Sequence, residues 1–406
     1  MKKVLLQHLN LKKTPKLKPD FLFSIGFAAM KHLTAFLLLA FALNLRSTAN
    51  TLFATAAALA GTDSTLPVIP KKFYEYKSAL ISISALTASR RPVKAVLGFS
   101  QKNRPIEVYY IPGTSTKKAL VIGGVHGSEL SAIGVVSQLA EALEKGTPPY
   151  YSVIVIPCLF PDNAALAAEH AHEIGSTKNI GRYTHDNMPD PNRQMPHLGK
   201  AYNPLQPLDV EQREIEAENK LLLQLIQEYH PDRIVNVHAI RNPLFAGIYA
   251  DPRTDCNGIA LGYETDSLLA LQMARFIHKK GGNVKGNALD SKKPTTLYIT
   301  DPAIAPKGAV QKRALTGSYL PNRRGTGVSL GAWASTAVCD AELNQYRNAI
   351  RVITIEFPGN KRPTDYTPAE QQEHQKQTQL YSAAIAQIFL GNHFTEDTPA
   401  TQKPEQ

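Results

Sequence analysis

The stretch "VIGGVHGSELSAI" (residues 121–133) changes from a strand pattern to a helix pattern within a few residues. The run "ALVIGGV" that enters it is apolar and of strand length, whereas "ELSAIGVVSQLAEALEKG" carries apolar residues at helical spacing up to Gly146. Between the two stand His126 and Glu129, three positions apart. A surface turn with an incidental capping residue fits this junction, and so does the first half of a metal site.

Apolar strands and helices alternate along the rest of the chain in the same way. The further strand patterns are "EVYYIP", "SVIVIP", "RIVNVHA" and "RVITIEFPG", and the further helix patterns are "DVEQREIEAENKLLLQLIQEY", "LLALQMARFIHKKGG" and "PAEQQEHQKQTQLYSAAIAQIFLG". This alternation predicts an α/β fold with a mixed, largely parallel central sheet and helices on both faces. A long polar stretch, roughly 161–210, predicts functional loops.

Three chemically active side chains follow apolar strand patterns directly. His126 comes after "ALVIGGV", His238 after "RIVNV" and Glu356 after "RVITI". In open α/β sheets, ligands bind beyond the carboxyl ends of the strands. Zinc is commonly held by two histidines and a carboxylate, with a fourth position left open when the site is catalytic. The sequence therefore predicts a metal site at this edge of the sheet.

Four motifs stand in a fixed order: "GGVHGSE", "DPNR", "VNVHA" and "TIEFPG". In this order they resemble the zinc carboxypeptidase family, the M14 metallopeptidases, over residues 72 to about 390. Within that range, "PLDVEQREIEAENKLLLQLIQEYHPDRIVNVHA" and "GTGVSLGAWAS" are most similar to bacterial murein peptide amidases. That branch cleaves the γ-D-glutamyl–diaminopimelate bond of peptidoglycan peptides. The resemblance thus implies one zinc ion per chain and murein peptides as substrates.

The resemblance also implies a role for each matching residue. His126, Glu129 and His238 match the zinc ligands. Glu356 matches the general base, which takes a proton from water and passes it to the leaving amine. The expected centre is therefore a hydrolytic one.

The remaining matches surround this centre. Asn192 and Arg193 match the pair that binds the terminal carboxylate of the substrate, a task suited to a guanidinium group. Asp190 matches the carboxylate that orients a zinc histidine. Arg182 in "IGRYTH" is the candidate for stabilising the oxyanion. The sequence departs from digestive carboxypeptidases, which carry a mobile tyrosine ahead of the catalytic glutamate. The matching neighbourhood here has Trp333 and no tyrosine at the expected place, and Tyr319 lies in an earlier loop.

Most of the positive charge lies at the N-terminus. The formal net charge is +11, but residues 1–49 hold eight basic residues and only Asp20 as an acid. No basic stripe with interleaved aromatics remains, which argues against nucleic acid as a partner. From Met30, "MKH", "LTAFLLLAFALNL" and "STA" have the pattern of a signal peptide that ends at Ala49. We expect an exported, periplasmic protein without a stable membrane span after processing; an uncleaved N-terminal anchor is the alternative.

The chain is expected to have four parts. These are a basic segment with the signal peptide (1–49), a linker (50–71), the catalytic domain (72–392) and a disordered tail (393–406). Cys256 and Cys339 can pair in an oxidising compartment, but their spacing does not show whether they do.

Two other functions fit part of the pattern. A deacylase of the aspartoacylase type shares the HxxE motif and the later histidine, but the export signal and "DPNR" argue against it. A catalytically inactive module that binds peptidoglycan has no use for a general base, and Glu356 therefore argues against that function.

Overall fold

The computed structural model describes residues 80–291, 326–359 and 366–392, except positions 177, 179, 186, 187 and 262. The signal peptide, the linker, the C-terminal tail and Tyr319 all lie outside these residues. The division of the chain into four parts therefore stays a prediction.

The described elements begin and end close to the sequence patterns. The strands are β1 Val93–Phe99, β2 Pro105–Ile111, β3 Lys118–Ile122, β4 Ser152–Ile156, β5 Arg233–Ile240, β6 Gly247–Ala250, β7 Val338–Asp340, β8 Gln345–Arg347 and β9 Arg351–Pro358. The α-helices are α1 Ile83–Thr87, α2 Leu130–Lys145, α3 Pro161–Glu169, α4 Ala217–Tyr229, α5 Tyr263–Lys279, α6 Leu330–Ala334 and α7 Pro368–Ala384. Of the helices in the described residues, none has the length and apolar content that a membrane crossing requires.

Seven strands form one mixed sheet in the order β1-β2-β4-β3-β5-β9-β6. The four central strands, β4, β3, β5 and β9, run parallel to one another. The pairs β1–β2, β2–β4 and β6–β9 are antiparallel, and β7 and β8 form a separate hairpin. The predicted mixed sheet with a parallel centre is confirmed.

Helices cover both faces of this sheet, as predicted. The first apolar core contains side chains of α1, α4 and α6, including Leu222 and Trp333. The second core, on the opposite face, contains side chains of α2, α5 and α7, including Val136 and Met273. Because β3 and β4 contribute to both cores, their sequences are continuous apolar runs after the first residue. Strands β5 and β9 also contribute to both cores, but they carry polar residues at alternating positions near their carboxyl ends. Each large aliphatic side chain buried in this way contributes about 1.5–3 kcal/mol to stability.

One predicted helix is shorter in the structure. The pattern over 209–229 predicts a helix throughout, but α4 begins only at Ala217. The Asp209 carboxylate accepts hydrogen bonds from the backbone amides of Glu211 and Arg213 and from the Arg213 guanidinium (Nε–Oδ2 2.6 Å). These bonds hold a turn around the buried Asp209 carboxylate that competes with the helix, since a short acidic side chain satisfies the same backbone amides.

The polar stretch 161–210 also contains more regular structure than a loop prediction implies. It begins with helix α3 and holds a 3₁₀ turn, Pro191–Arg193. The turn carries most of the "DPNR" motif. The polar residues of this stretch therefore belong in part to short helical elements, one of which carries candidate site residues.

Cys256 and Cys339 form a disulfide bond, with their Cα atoms 5.8 Å apart. The bond joins the loop that follows β6 to strand β7. The pairing that the sequence left open is therefore present in the structure.

Candidate metal centre

The turn after β3 is built from glycines, and it presents His126 at the edge of the sheet. Gly124 has a φ of +65°, a conformation that favours glycine. At Gly127, a Cβ atom would lie 2.3 Å from the backbone nitrogen of Ala164 on α3, so only glycine allows this close approach. The two glycines thus let the chain leave the strand and pass tightly under α3.

Glu129 stands at the N-cap of α2, yet its side chain makes no capping hydrogen bond. Its carboxylate instead contacts two histidines: Oε1 lies 2.9 Å from His126 Nδ1, and Oε2 lies 3.0 Å from His238 Nδ1. The backbone amide of Ala239 donates to the same Oε2 (3.1 Å). The interpretation of Glu129 as an incidental capping residue is therefore wrong.

His126, Glu129 and His238 are each at most 4% exposed, and one potential ligand atom of each lies within 4.8 Å of the other two. Two imidazole nitrogens and a carboxylate oxygen make a donor set that suits zinc. In the described residues this is the one group of three or more such side chains that converge in this way. The residues present therefore fit a metal ion.

Asp190 fixes the orientation of His126. Its Oδ1 lies 2.9 Å from His126 Nε2 and also accepts a hydrogen bond from the Asn192 amide (2.8 Å). A proton on Nε2, held by the carboxylate, leaves the Nδ1 lone pair directed at Glu129 and the centre. The structure therefore brings Asp190 to the position that the sequence resemblance implied.

The charges of the centre stabilise the ionised carboxylates. Burial by itself raises the pKa of Glu129, but His126 and His238 hold that pKa well below its usual value. Burial likewise raises the pKa of Asp190, and His126, Arg182 and Arg193 outweigh it, so the pKa of Asp190 is lowered. Both acids are therefore ionised near neutral pH, as metal binding requires.

Arg182 also belongs to this centre. Its Nη1 donates to Glu129 Oε1 at 2.8 Å, and its Nη2 lies 4.0 Å from Asp190 Oδ2. The side chain is 28% exposed, so one side of the guanidinium faces solvent. The structure thus places a permanent positive charge beside the proposed ligands.

Glu356 stands next to His238 in the sheet. The two residues are register partners on the parallel strands β9 and β5, and Glu356 is 7% exposed. Register partners project their side chains to the same face of a sheet, with strands about 4.8 Å apart. Burial, followed by the charge of Glu356, raises the pKa of the neighbouring Tyr249 to about 12. The structure therefore places a buried carboxylate beside a proposed metal ligand.

Asn192 and Arg193 flank the centre on the side of α6. Asn192 Oδ1 accepts a hydrogen bond from the Leu330 amide (3.0 Å), and its Nδ2 lies 3.4 Å from His238 Nε2. Arg193 Nη1 donates to the carbonyl oxygen of Asn192 at 2.6 Å. All eight side chains that the sequence singled out are thus near one another or joined through common partners.

Trp333 does not reach this centre. It is 1% exposed, and its indole Nε1 donates to the carbonyl oxygen of Lys200 (2.9 Å). Trp333, at which the sequence departs from digestive carboxypeptidases, is therefore part of the core.

Sequence reasoning missed three polar side chains behind the centre: Asn236, Thr354 and Asp251. Asn236 and Thr354 stand two residues before His238 and Glu356 on the same strands. The sequence did offer one signal, the alternation of side chains along a strand, which places Asn236 on the same face as His238 and Thr354 on the same face as Glu356. Asp251 follows β6 and had no motif to mark it.

No protein-family model matches the sequence, and neither does any curated protein. The structure is similar to the murein-tripeptide amidase of Escherichia coli O157, with 19% identity, 76% of this chain and 98% of that chain covered, and a TM-score of 0.38. It is also similar to carboxypeptidase A of Helicoverpa armigera, with 13% identity, 84% and 80% coverage, and a TM-score of 0.43. Bovine thrombin-activatable fibrinolysis inhibitor is a further match, with 14% identity, 78% and 96% coverage, and a TM-score of 0.41.

Proposed function

We propose that this protein is a zinc-dependent hydrolase that cleaves an amide bond next to a free carboxylate. The observation that carries the proposal is the convergence of two buried Nδ1 atoms, from His126 and His238, on the carboxylate of Glu129. Glu356, the register partner of His238, adds the buried base that hydrolysis needs.

Zinc, when bound, supplies Lewis acidity toward water and toward the scissile carbonyl. The Glu356 carboxylate would accept a proton from the attacking water and deliver it to the nitrogen of the leaving amine. Asp190 would hold the proton on His126 Nε2 throughout, since its carboxylate lies 2.9 Å away. The guanidinium of Arg182 would balance the negative charge that develops on the carbonyl oxygen.

The carboxylate of the substrate would bind at Asn192 and Arg193. Asn192 is held between Leu330 and His238, so a group bound there lies beside the centre. A guanidinium can grip a carboxylate with two parallel hydrogen bonds, which also sets its orientation. The nitrogen of the scissile amide would then lie one carbon atom away from the bound carboxylate group, as in a carboxypeptidase-type reaction.

The proposed substrates are murein peptides with a γ-D-glutamyl–diaminopimelate bond. The stretches "PLDVEQREIEAENKLLLQLIQEYHPDRIVNVHA" and "GTGVSLGAWAS" support this choice through their similarity to murein peptide amidases. The N-terminal pattern supports export to the periplasm, where such peptides occur, with an uncleaved anchor as the alternative. A disulfide between Cys256 and Cys339 is consistent with an oxidising compartment.

The test joins metal content to activity. His126→Ala and His238→Ala should each lose zinc and hydrolysis together, whereas His172→Ala, at a site 67% exposed, should retain both. Elemental analysis gives the zinc content, with about one ion per wild-type chain expected. Mass spectrometry of a defined murein tripeptide measures the release of diaminopimelate.

Other outcomes would change the ligand set or the function. Full zinc occupancy in both histidine variants would remove them from the ligand set. Cleavage of N-acyl amino acids but not of the tripeptide would favour the deacylase. Tight binding of the tripeptide without cleavage would favour the inactive binding module.

A further inference from the structure

Three buried polar side chains join the start of helix α4 to the 3₁₀ turn Pro191–Arg193. Gln194 directly follows the turn, Glu216 is the N-cap residue of α4, and Asn219 lies in the first turn of that helix. Their exposed fractions are 0%, 2% and 0%. We call Gln194, Glu216 and Asn219 the turn support.

The hydrogen bonds of the turn support run in one direction. Gln194 Oε1 accepts from the Glu216 backbone amide (3.0 Å) and from Asn219 Nδ2 (3.2 Å), and Gln194 Nε2 donates to Glu216 Oε2 (2.5 Å). Asn219 Nδ2 also donates to the carbonyl oxygen of Pro191 (2.8 Å). A backbone amide can only donate and a carbonyl can only accept, so the backbone groups at the two ends fix which way each side-chain amide faces.

The turn support does not satisfy all of its own polar groups. The Glu216 side chain makes no capping hydrogen bond to α4, although it stands at the N-cap. Asn219 Oδ1 has no hydrogen-bond partner in the described residues, whereas its NH₂ group makes two bonds. Buried polar atoms are nearly always paired, and exceptions in natural proteins concentrate at functional sites. The donors of Asn219 are therefore the reason for burying this side chain.

One peptide unit links Asn219 to the candidate metal centre. The Pro191 carbonyl, which accepts from Asn219, and the Asn192 amide belong to the same planar unit. The Asn192 amide donates to Asp190 Oδ1 (2.8 Å) at the other end of that unit. Because the unit is rigid, two bonds at opposite ends fix its rotation. That rotation sets the direction in which the following side chains, Asn192 and Arg193, leave the turn.

We propose that Asn219 is a positioning residue, which holds the Pro191–Asn192 peptide unit at the rotation in which Asn192 and Arg193 bind the carboxylate of the substrate. Gln194 and Glu216 hold Asn219 in place. A displacement of about 1 Å in a positioning group can cost on the order of 10²-fold in rate, and a two-bond contact with a carboxylate is sensitive to such a shift. This inference rests on the proposed function for the role of Asn192 and Arg193.

A pair of substrates tests the inference. One is a defined murein tripeptide with a free carboxyl group next to the scissile bond, and the other is the same peptide amidated at that group. At saturating zinc, the wild type should favour the free form by about 10- to 100-fold in kcat/KM. Asn219→Leu, which has a similar shape but no donor, should reduce this preference to about threefold or less, mainly through KM. A merely structural role would lower activity on both peptides equally and leave the preference unchanged.

Two further variants serve as controls. Asn287→Leu removes another fully buried amide, whose Nδ2 donates to the Ile248 carbonyl oxygen (2.6 Å), and it should leave the preference unchanged. Glu216→Gln retains an oxygen that can accept from Gln194, and it should also keep the preference. Thermal unfolding verifies that each variant is folded.

Two results would overturn the inference. A wild-type preference in folded Asn219→Leu would show that other contacts of the turn, such as that of Arg213 Nη2 with the Arg193 carbonyl oxygen (3.1 Å), are sufficient. An equal loss of preference in Asn287→Leu would show that the effect comes from general destabilisation of the fold.

Binding separates this inference from the proposed function. Calorimetry with Glu356→Gln, alone and combined with Asn219→Leu, measures the binding of both peptides without turnover. If the wild type cleaves neither peptide, but the free form binds more tightly and Asn219→Leu removes that difference, the proposed hydrolysis fails and the inference stands. If both peptides are cleaved and bound equally well, the hydrolysis stands and the inference fails. If neither peptide binds, both fail.

Discussion

Replacing Asp190 with asparagine isolates the support that His126 receives. Asp190 Oδ1 contacts His126 Nε2 at 2.9 Å and the Asn192 amide at 2.8 Å. Asparagine has the same shape and retains one oxygen, but it carries no charge. Its NH₂ group can also face His126, and the proton would then move from Nε2 to Nδ1, the atom that faces Glu129.

The expected loss follows from the role of this contact. Carboxylates that orient a metal-binding histidine typically contribute 10- to 100-fold to metal affinity. This corresponds to about 1.4–2.7 kcal/mol of binding free energy. We therefore expect the Kd for zinc to rise by 10- to 100-fold in Asp190→Asn, with His126, Glu129 and His238 all still present.

Competition with a fluorescent zinc chelator at fixed pH measures this Kd. The matched control is Asp162→Asn, which removes another buried carboxylate, at 6% exposure. The Asp162 carboxylate accepts a hydrogen bond from the Lys102 amide (2.8 Å) and forms an ion pair with Arg104 (Nε–Oδ1 3.3 Å) rather than contacting a proposed ligand. The control should bind zinc as the wild type does.

Two results would refute the reasoning. An unchanged Kd for zinc in folded Asp190→Asn would show that the carboxylate does not support His126. An equal loss of affinity in Asp162→Asn would show that the effect comes from general destabilisation of the fold. Far-ultraviolet circular dichroism of both variants without metal distinguishes a folded protein from an unfolded one.

Three further changes test the base, the carboxylate site and a buried acid. Glu356→Gln should keep zinc and lose hydrolysis by at least about 10²–10⁴-fold, and near-normal turnover would exclude it as the general base. Arg193→Lys should lower kcat/KM by about one to two orders of magnitude for substrates with a free carboxylate, and much less for amidated ones; an equal penalty on both would exclude it as the carboxylate site. Burial raises the pKa of Glu218 to about 7, above the usual 4.5, so its ionisation destabilises the fold as the pH rises between these values. The free energy of unfolding gained by Glu218→Gln over the wild type should therefore be about 3 kcal/mol larger at pH 8 than at pH 4, as measured by denaturant unfolding. The exposed Glu228→Gln should show no such difference. Parallel pH profiles of wild type and Glu218→Gln would contradict this.

The main elements and the edge that holds the site could be predicted from the sequence. The apolar runs before His126, His238 and Glu356 have the length of buried strands, and their order along the chain places three reactive residues at strand ends. Glycine positions likewise mark the turn before α2, because Gly124 needs a positive φ. These are local properties, since strand period, helix period and turn chemistry depend on residues a few positions apart.

Contacts between distant segments were decided only by the tertiary structure. The pattern at 209–216 suits a helix, yet the buried Asp209 holds those residues in a turn. Glu129 has the position of a helix cap, but its carboxylate contacts His238, 109 residues away. A local pattern cannot indicate which of two competing partners a side chain will take, because the second partner arrives only when the sheet forms.

The surroundings of Asp251 depended on tertiary structure most of all. Asp251 stands after a short edge strand and has no motif beside it, and it meets Thr354 only because β6 pairs antiparallel with β9. The order of strands in the sheet sets that meeting, and the burial of the carboxylate follows from the packing of Gly331 on α6. The chain's own residues thus predict where hydrolysis would take place, whereas the sheet order and the packing of α6 determine which further side chains are buried beside that place.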